Sequence, residues 1–139
     1  MNARPGDADV RRDVSDVLVR YATGIDQRDW ALLRSCFTAD CEADYGDIGV
    51  WHGGSEITAW MEEMHAPLGP TLHRISNQAV STIDANRVAA RCYVDALILG
   101  PDGKPAAHAC GFYDDELVRT DDGWKIARRR FTSVHLELA

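Results

Sequence analysis

No window of the sequence approaches the run of roughly 20 apolar residues that a membrane-spanning helix needs. The amino terminus, Met1 to Asp9, is polar and carries Pro5 and Gly6, so it lacks the apolar stretch of a signal peptide. Basic charge is scarce too: 15 Lys and Arg stand against 22 Asp and Glu, a formal charge of -7, and no basic run exceeds Arg128-Arg129-Arg130. A phosphate backbone would be repelled, so no nucleic-acid partner and no membrane are expected. Cysteines Cys36, Cys41, Cys92 and Cys110 offer no C-x-x-C spacing, and the five histidines offer no H-x-H or H-x-x-x-H. Neither a metal nor any other cofactor is therefore expected. Glycine motifs that cradle phosphate and the G-x-S-x-G elbow are also missing. What remains is an acidic chain with its thiols buried and reduced, expected in the cytoplasm.

At 139 residues and 45% hydrophobic content, the chain has the size of one domain with a sizeable core. Residues 1–9 read as a flexible leader and 10–139 as a single domain. Val10, Val14, Val17, Leu18, Tyr21, Ala22 and Ile25 recur at threes and fours, which predicts a helix ending near Gln27. Asp29 suits the N-cap of a second short helix carrying Trp30, Leu33 and Phe37. A weakly alternating stretch, Cys41 to Tyr45, precedes a glycine-punctuated hairpin or loop around Val50-Trp51. Ser55 could cap a third helix bearing Ile57, Trp60, Met61 and Met64, closed by Pro67 and Pro70. From Thr71 the composition turns β-branched and alternating, in segments of about 71–83, 87–99, 106–119 and 123–135 separated by short turn sequences. Helices first and an antiparallel meander afterwards define an α+β fold with helices on one face of a curved sheet.

Asp26 breaks the pattern of the first helix. It follows Leu18 and Ala22 by helical steps of four, so its carboxylate lies on the apolar side and needs a partner. In the strand at 87–99, Val88, Ala90, Cys92, Val94, Ala96 and Ile98 form the row that should face the helices, with Arg91, Tyr93 and Asp95 outward. His73, on the preceding strand, is the best candidate partner, because a carboxylate orients an imidazole and stabilises its protonated form. The competing structural reading has His73 bonded to a backbone carbonyl and Asp26 capping a turn. His52, His65, His108 and His135 are expected to be solvated or structural. Tyr45 could donate to a substrate oxygen, and Tyr113 shares a face with Gly111 and Ala109. Arg129 shares a face with Ala127 and Phe131, and is either a cation beside the dyad or a surface arginine. A third arrangement pairs Asp26, Arg129 and Asp95 in an Asp-Arg-Asp site, against which the outward position of Asp95 argues.

The segments Ile25-Asp26-Gln27-Arg28-Asp29-Trp30, Cys36-Phe37-Thr38-Ala39-Asp40, Asp44-Tyr45-Gly46, Gly54 to Trp60, Thr71-Leu72-His73-Arg74, Asn77, Gly111-Phe112-Tyr113 and Asp122-Gly123-Trp124-Lys125-Ile126 resemble the SnoaL-like branch of the nuclear transport factor 2-like superfamily. The resemblance covers nearly all of the chain after the leader and is strongest to members of the scytalone dehydratase and hexachlorocyclohexane dehydrochlorinase types. It implies a cone-shaped α+β barrel: N-terminal helices on a strongly curved, mostly antiparallel sheet around an apolar pocket, assembled as a homodimer or homotrimer. It further implies a His-Asp dyad for elimination, matching His73 and Asp26, with Tyr45 and Arg129 assisting. Ile25 and Cys92 stand where the dehydratase has a second tyrosine and a second histidine, and Tyr21 stands near the dehydrochlorinase's lysine. Substrate contacts are expected from Tyr21, Ile25, Trp60, Cys92, Tyr113 and Phe131. The expected activity is a cofactor-independent lyase or isomerase acting on a small apolar, cyclic compound. The alternative is a non-catalytic protein that binds a hydrophobic ligand or a partner subunit.

Overall fold

A computed structural model of the chain describes residues 6–139. Helix α1 spans Asp7–Asp26 and α2 spans Trp30–Ser35; strands β1 (Phe37–Asp44) and β2 (Val50–His52) flank a single 3-10 turn, and α3 runs Gly54–His65. Four long strands follow: β3 (Thr71–Asp84), β4 (Arg87–Leu99), β5 (Pro105–Thr120) and β6 (Gly123–Leu138). They form one six-stranded sheet in the order β2-β1-β6-β5-β4-β3, antiparallel except for the β1–β6 pair. The N-terminal helices lie on the concave face of this curved sheet, the cone-shaped α+β arrangement expected.

Helix α1 buries the stripe Val14, Val17, Leu18, Tyr21, Ala22 and Ile25, as its periodicity requires. It begins at Asp7, inside the stretch expected to be a leader, because Gly6 takes the left-handed conformation that starts it (φ 86°); residues 1–5 lie outside the described residues. Asp29 caps α2 as expected, its carboxylate accepting from Leu32 N–H at 3.0 Å. Phe37, expected on that helix, instead opens β1, where it pairs with Ile126 and is fully buried. The cap of α3 is Gly53, not Ser55, whose hydroxyl accepts from Arg34 Nε at 3.0 Å. Gly24 allows α1 and α2 to cross closely: a Cβ there would sit 2.9 Å from the Leu33 backbone nitrogen.

Two bulges alter the strand faces. In β3 the register shifts between Ser76 and Ala79, with Asn77 at φ 50°, so Thr71, His73 and Ile75 face inward but Val80 replaces Ala79 on that side. In β6 the register shifts across Ala127, so Trp124 and Ile126 are buried and Arg129 is buried as well, although odd and even positions should face opposite ways. Three cysteines are buried as expected, whereas Cys110 is half-buried on the outer face of β5; all four are free thiols. Among the described residues, no helix is long and apolar enough to cross a membrane.

Candidate active site

The sequence brings Asp26 to the start of β3 through the turn after α1. Arg28 occupies a left-handed conformation (φ 56°), uncommon for a residue with a Cβ. Its guanidinium donates to Ile25 O (2.8 Å), Gly69 O (2.6 Å) and Thr71 Oγ1 (2.9 Å), pinning the helix end to the strand. Since Thr71 accepts from Arg28, its own proton goes to Asp26 Oδ1 at 2.9 Å. His73 completes the set: its backbone N–H donates to Asp26 Oδ2 (2.8 Å) and its ring Nδ1 lies 2.7 Å from Oδ1.

Burial works to raise the pKa of Asp26, but the hydrogen bonds from His73 and Thr71 outweigh it and hold the carboxyl below its usual value. An ionised Asp26 accepts at Oδ1, so Nδ1 of His73 carries the proton and Nε2 carries the lone pair. Among the described residues Nε2 has no hydrogen-bond partner, and the His73 ring lines an apolar cavity of about 270 Å³. The structural alternative, His73 on a backbone carbonyl with Asp26 capping a turn, is not the arrangement found.

The cavity has small residues next to His73 for a reason of register. His73 pairs with Ala96, Ala96 with Ala109 and Ala109 with Leu136, so this cross-strand row carries little side-chain volume. Gly111, on the adjoining stretch of β5, lets β6 approach closely, since a Cβ there would run into Thr132 O and sit 2.8 Å from the Phe131 ring. Helix α3 supplies the opposite wall with Trp60, Met61, Met64 and His65. His65, which was expected to be merely solvated or structural, is buried and also lines the cavity. Its Nδ1 is 2.7 Å from Met61 O, its ring lies 6.4 Å from that of His73, and burial lowers its pKa. The signal that could have revealed it is its place one helical turn after Met61.

Of the residues expected to touch substrate, Tyr21, Trp60, Tyr113 and Phe131 line this cavity together with Tyr45. Ile25 and Cys92 do not: both are fully buried in the core, behind the cavity wall. Arg129 is not on the wall either. It is held by two bonds to Asp115, Nε to Oδ1 at 2.7 Å and the second terminal nitrogen to Oδ2 at 2.8 Å, and its guanidinium lies over the rings of Tyr113 (3.7 Å) and Tyr21 (4.2 Å). Burial opposes its charge, but Asp115 beside it prevails and keeps it cationic. The sequence reading missed Asp115, although it follows Gly111 and Tyr113 in the inward row of β5. Asp95, the acid considered for an Asp-Arg-Asp site, lies on the outer face with Arg74 and His108.

The Arg129–Asp115 pair supports a cluster of phenols. Arg129 reaches Tyr45 Oη at 3.5 Å, Tyr21 and Tyr45 hydroxyls are 2.8 Å apart, and Tyr113 donates to Tyr21 at 3.4 Å. Burial pushes all three phenols up, so they stay protonated donors at neutral pH. With Tyr113 donating to Tyr21 and Arg129 donating to Tyr45, Tyr21 has its proton for Tyr45, which leaves the Tyr45 proton for a cavity occupant.

A basin of this shape, with an imidazole–carboxylate pair at one side and phenols at the other, belongs to a known class of α+β cones. The family model described as SnoaL-like domain matches residues 7–130, and the chain belongs to that family, within the nuclear transport factor 2-like superfamily. It is 30% identical over 122 residues to the uncharacterized protein Rv2910c of Mycobacterium tuberculosis, covering 86% of this chain and 82% of the relative. Among solved structures it is similar to a candidate scytalone dehydratase of Novosphingobium aromaticivorans (TM-score 0.88, 21% identity, 96% of this chain and 89% of that one). It is likewise similar to the hexachlorocyclohexane dehydrochlorinase LinA-type3 of Novosphingobium barchaimii (TM-score 0.83, 19% identity, 95% and 91%). At these identities the structural likeness speaks for the fold alone.

Proposed function

We propose that the protein is a cofactor-independent lyase of the dehydratase kind, acting on a small, apolar, cyclic molecule held in the cavity. The observation that carries this is the His73 ring on the cavity wall, bonded to Asp26 at Nδ1 and, among the described residues, without a partner at Nε2. In the proposed step Nε2 takes a proton from a substrate carbon, the C–H electrons form a double bond, and the leaving group on the adjacent carbon departs with its own pair. Asp26 stabilises the imidazolium that results. Tyr45 donates its proton to the departing group or to an adjacent carbonyl oxygen, and Arg129 acts through Tyr45, without touching substrate. If no leaving group is present, the same proton transfer and its reversal at another carbon give an isomerisation. The names of the structural neighbours, a candidate dehydratase and a dehydrochlorinase, are consistent with this choice. A homodimer or homotrimer is part of the same proposal.

The test begins with native mass spectrometry of the purified protein, to identify what co-purifies in the cavity. That compound is then incubated with the wild type and with His73→Ala. General-base catalysis is worth about 10²–10⁴ in rate, so His73→Ala should lose at least a hundredfold in turnover. Turnover by His73→Ala close to the wild-type rate rules out the dyad. Binding without turnover by either protein favours the alternative, a cavity that only holds a hydrophobic ligand.

A further inference from the structure

The outer face of the sheet carries a second cluster of chemistry-bearing side chains, unconnected with the cavity. The strand register sets Asp95 of β4 directly opposite Cys110 of β5, and Cys110 directly opposite His135 of β6. His108 lies two residues before Cys110 and therefore on the same face. Their donor atoms converge: His108 Nε2 is 2.6 Å from Asp95 Oδ1, Cys110 Sγ is 3.5 Å from that nitrogen and 3.6 Å from that oxygen. Arg74 holds the other oxygen of Asp95, Oδ2, at 3.1 Å and so turns Oδ1 towards the histidine and the thiol.

We propose that Asp95, His108 and Cys110 form a binding site for a divalent zinc-like cation on the outer face of the sheet. The argument is one of edge lengths. A tetrahedral zinc with ligands at about 2.3 Å for sulfur and about 2.1 Å for nitrogen and oxygen sets its ligand atoms about 3.6 Å apart for the sulfur pairs and about 3.4 Å for the N–O pair. The two sulfur separations, 3.5 and 3.6 Å, already have that length. Only the 2.6 Å N–O contact must open, which a small rotation of the Asp95 carboxylate achieves. A thiolate, an imidazole and a carboxylate make a donor set of mixed softness that suits zinc better than magnesium or calcium. His135, whose ring stands edge-on to that of His108 at 6.3 Å, lies beside the three donors with its Nε2 3.7 Å from Glu137 Oε2.

Protons balance simply. In the metal-free form the Cys110 thiol and the His108 Nε2–H both point at Asp95 Oδ1. On binding, the imidazole proton moves to Nδ1, Nε2 presents its lone pair, and the thiol releases its proton to solvent, so one proton is freed per cation. The sequence concealed the site because its ligands come from two strands and their spacing, H-x-C on one and an aspartate on the other, matches no short zinc motif.

The test is titration of chelator-treated wild-type protein with Co²⁺, followed by competition with Zn²⁺. The expected result is one Co²⁺ per chain, with a thiolate-to-cobalt charge-transfer band in the near ultraviolet, visible bands of a four-coordinate ion, and displacement by Zn²⁺. Cys110→Ser should abolish the charge-transfer band, and His108→Ala should weaken binding at least tenfold. His73→Ala should bind Co²⁺ as the wild type does, which separates this site from the proposed chemistry. Circular dichroism of the variants confirms that they are folded, as expected for side chains that are 39–43% exposed in the case of His108 and Asp95. The absence of a charge-transfer band in the wild type overturns the proposal. So does a band that survives Cys110→Ser, or an unchanged affinity in His108→Ala.

Discussion

Replacing Asp115 with Asn removes the negative half of a pair whose side chains are only 0% and 1% exposed. The isosteric amide keeps the volume, so the change in stability reports the charge. The amide oxygen can still accept one bond from Arg129, but its NH2 group faces the guanidinium's other donor. The remaining neighbours are the Tyr45 hydroxyl at 3.5 Å and the ring faces of Tyr21 and Tyr113, none of them charged. Cation–π contacts of this kind contribute about 2 kcal/mol when desolvated, too little to offset an uncompensated buried guanidinium. The expected loss is about 3–5 kcal/mol, a large share of the roughly 5–15 kcal/mol that holds a domain together. With a urea dependence of about 2 kcal/mol per molar, the unfolding midpoint should fall by about 1.5–2.5 M. Equilibrium urea unfolding followed by tryptophan fluorescence measures it. The double variant Asp115→Leu/Arg129→Met, which removes both charges, should recover most of the loss, because an apolar pair of similar volume avoids desolvation. A midpoint for Asp115→Asn within about 0.5 M of wild type (about 1 kcal/mol at that slope) would refute the reasoning.

Ala96→Leu should fill part of the cavity beside His73, raising stability by about 1–2 kcal/mol while abolishing binding of the co-purifying ligand; unchanged ligand retention by native mass spectrometry counts against the cavity as the binding site. Gly24→Ala gains up to about 1 kcal/mol of helix propensity but drives a Cβ to 2.9 Å from the Leu33 backbone, and a net loss of about 1–3 kcal/mol is expected by urea unfolding; a stabilised variant contradicts the close helix crossing. Burial lowers the pKa of His65 from 6.5, so below that value the unfolded chain binds a proton that the folded chain resists. Stability should therefore fall as pH drops from 6.5 towards the lowered folded pKa, and His65→Gln should flatten that part of a melting-temperature profile measured between pH 5 and 8; the same slope in both proteins excludes His65 as its source.

The parts of the site that were legible from the sequence share a property: they lie where local periodicity runs unbroken. Asp26 ends an uninterrupted helical stripe, so counting back through Ala22 and Leu18 put it on the buried side. His73 sits between the start of β3 and the bulge at Asn77, so the inward row Thr71, His73 and Ile75 follows ordinary alternation. Beyond that bulge a count by twos from His73 would lead to Ala79, whereas Val80 packs on the core instead. For the same reason counting left Arg129 open, as a cation beside the dyad or a surface arginine, and only the family resemblance favoured the first. Counting by twos from Trp124 and Ile126 leads to Arg128 and Arg130, and only the extra residue at Ala127 turns Arg129 inward beside Asp115. An acid on β5 and a base on β6 come together through that one-residue shift in pairing, which composition does not encode and which residue types tolerate on either side.

The consequence reaches the chemistry. The dyad is positioned by contacts near the α1 turn and the start of β3, whereas the phenol cluster is positioned by the bulge in β6. Loss of the bulge with Ala127 retained in regular pairing would shift the later residues of β6 by one, carry Arg129 to the outer face and leave Asp115 alone in the core, yet leave the Arg28, Thr71, Asp26 and His73 chain of bonds untouched. Deletion of Ala127 removes the extra residue itself and keeps Arg129 inward. The His73–Asp26 pair and the phenols are thus set by separate structural devices. A defect in one should appear as loss of proton abstraction with binding intact, and a defect in the other as loss of both stability and charge stabilisation.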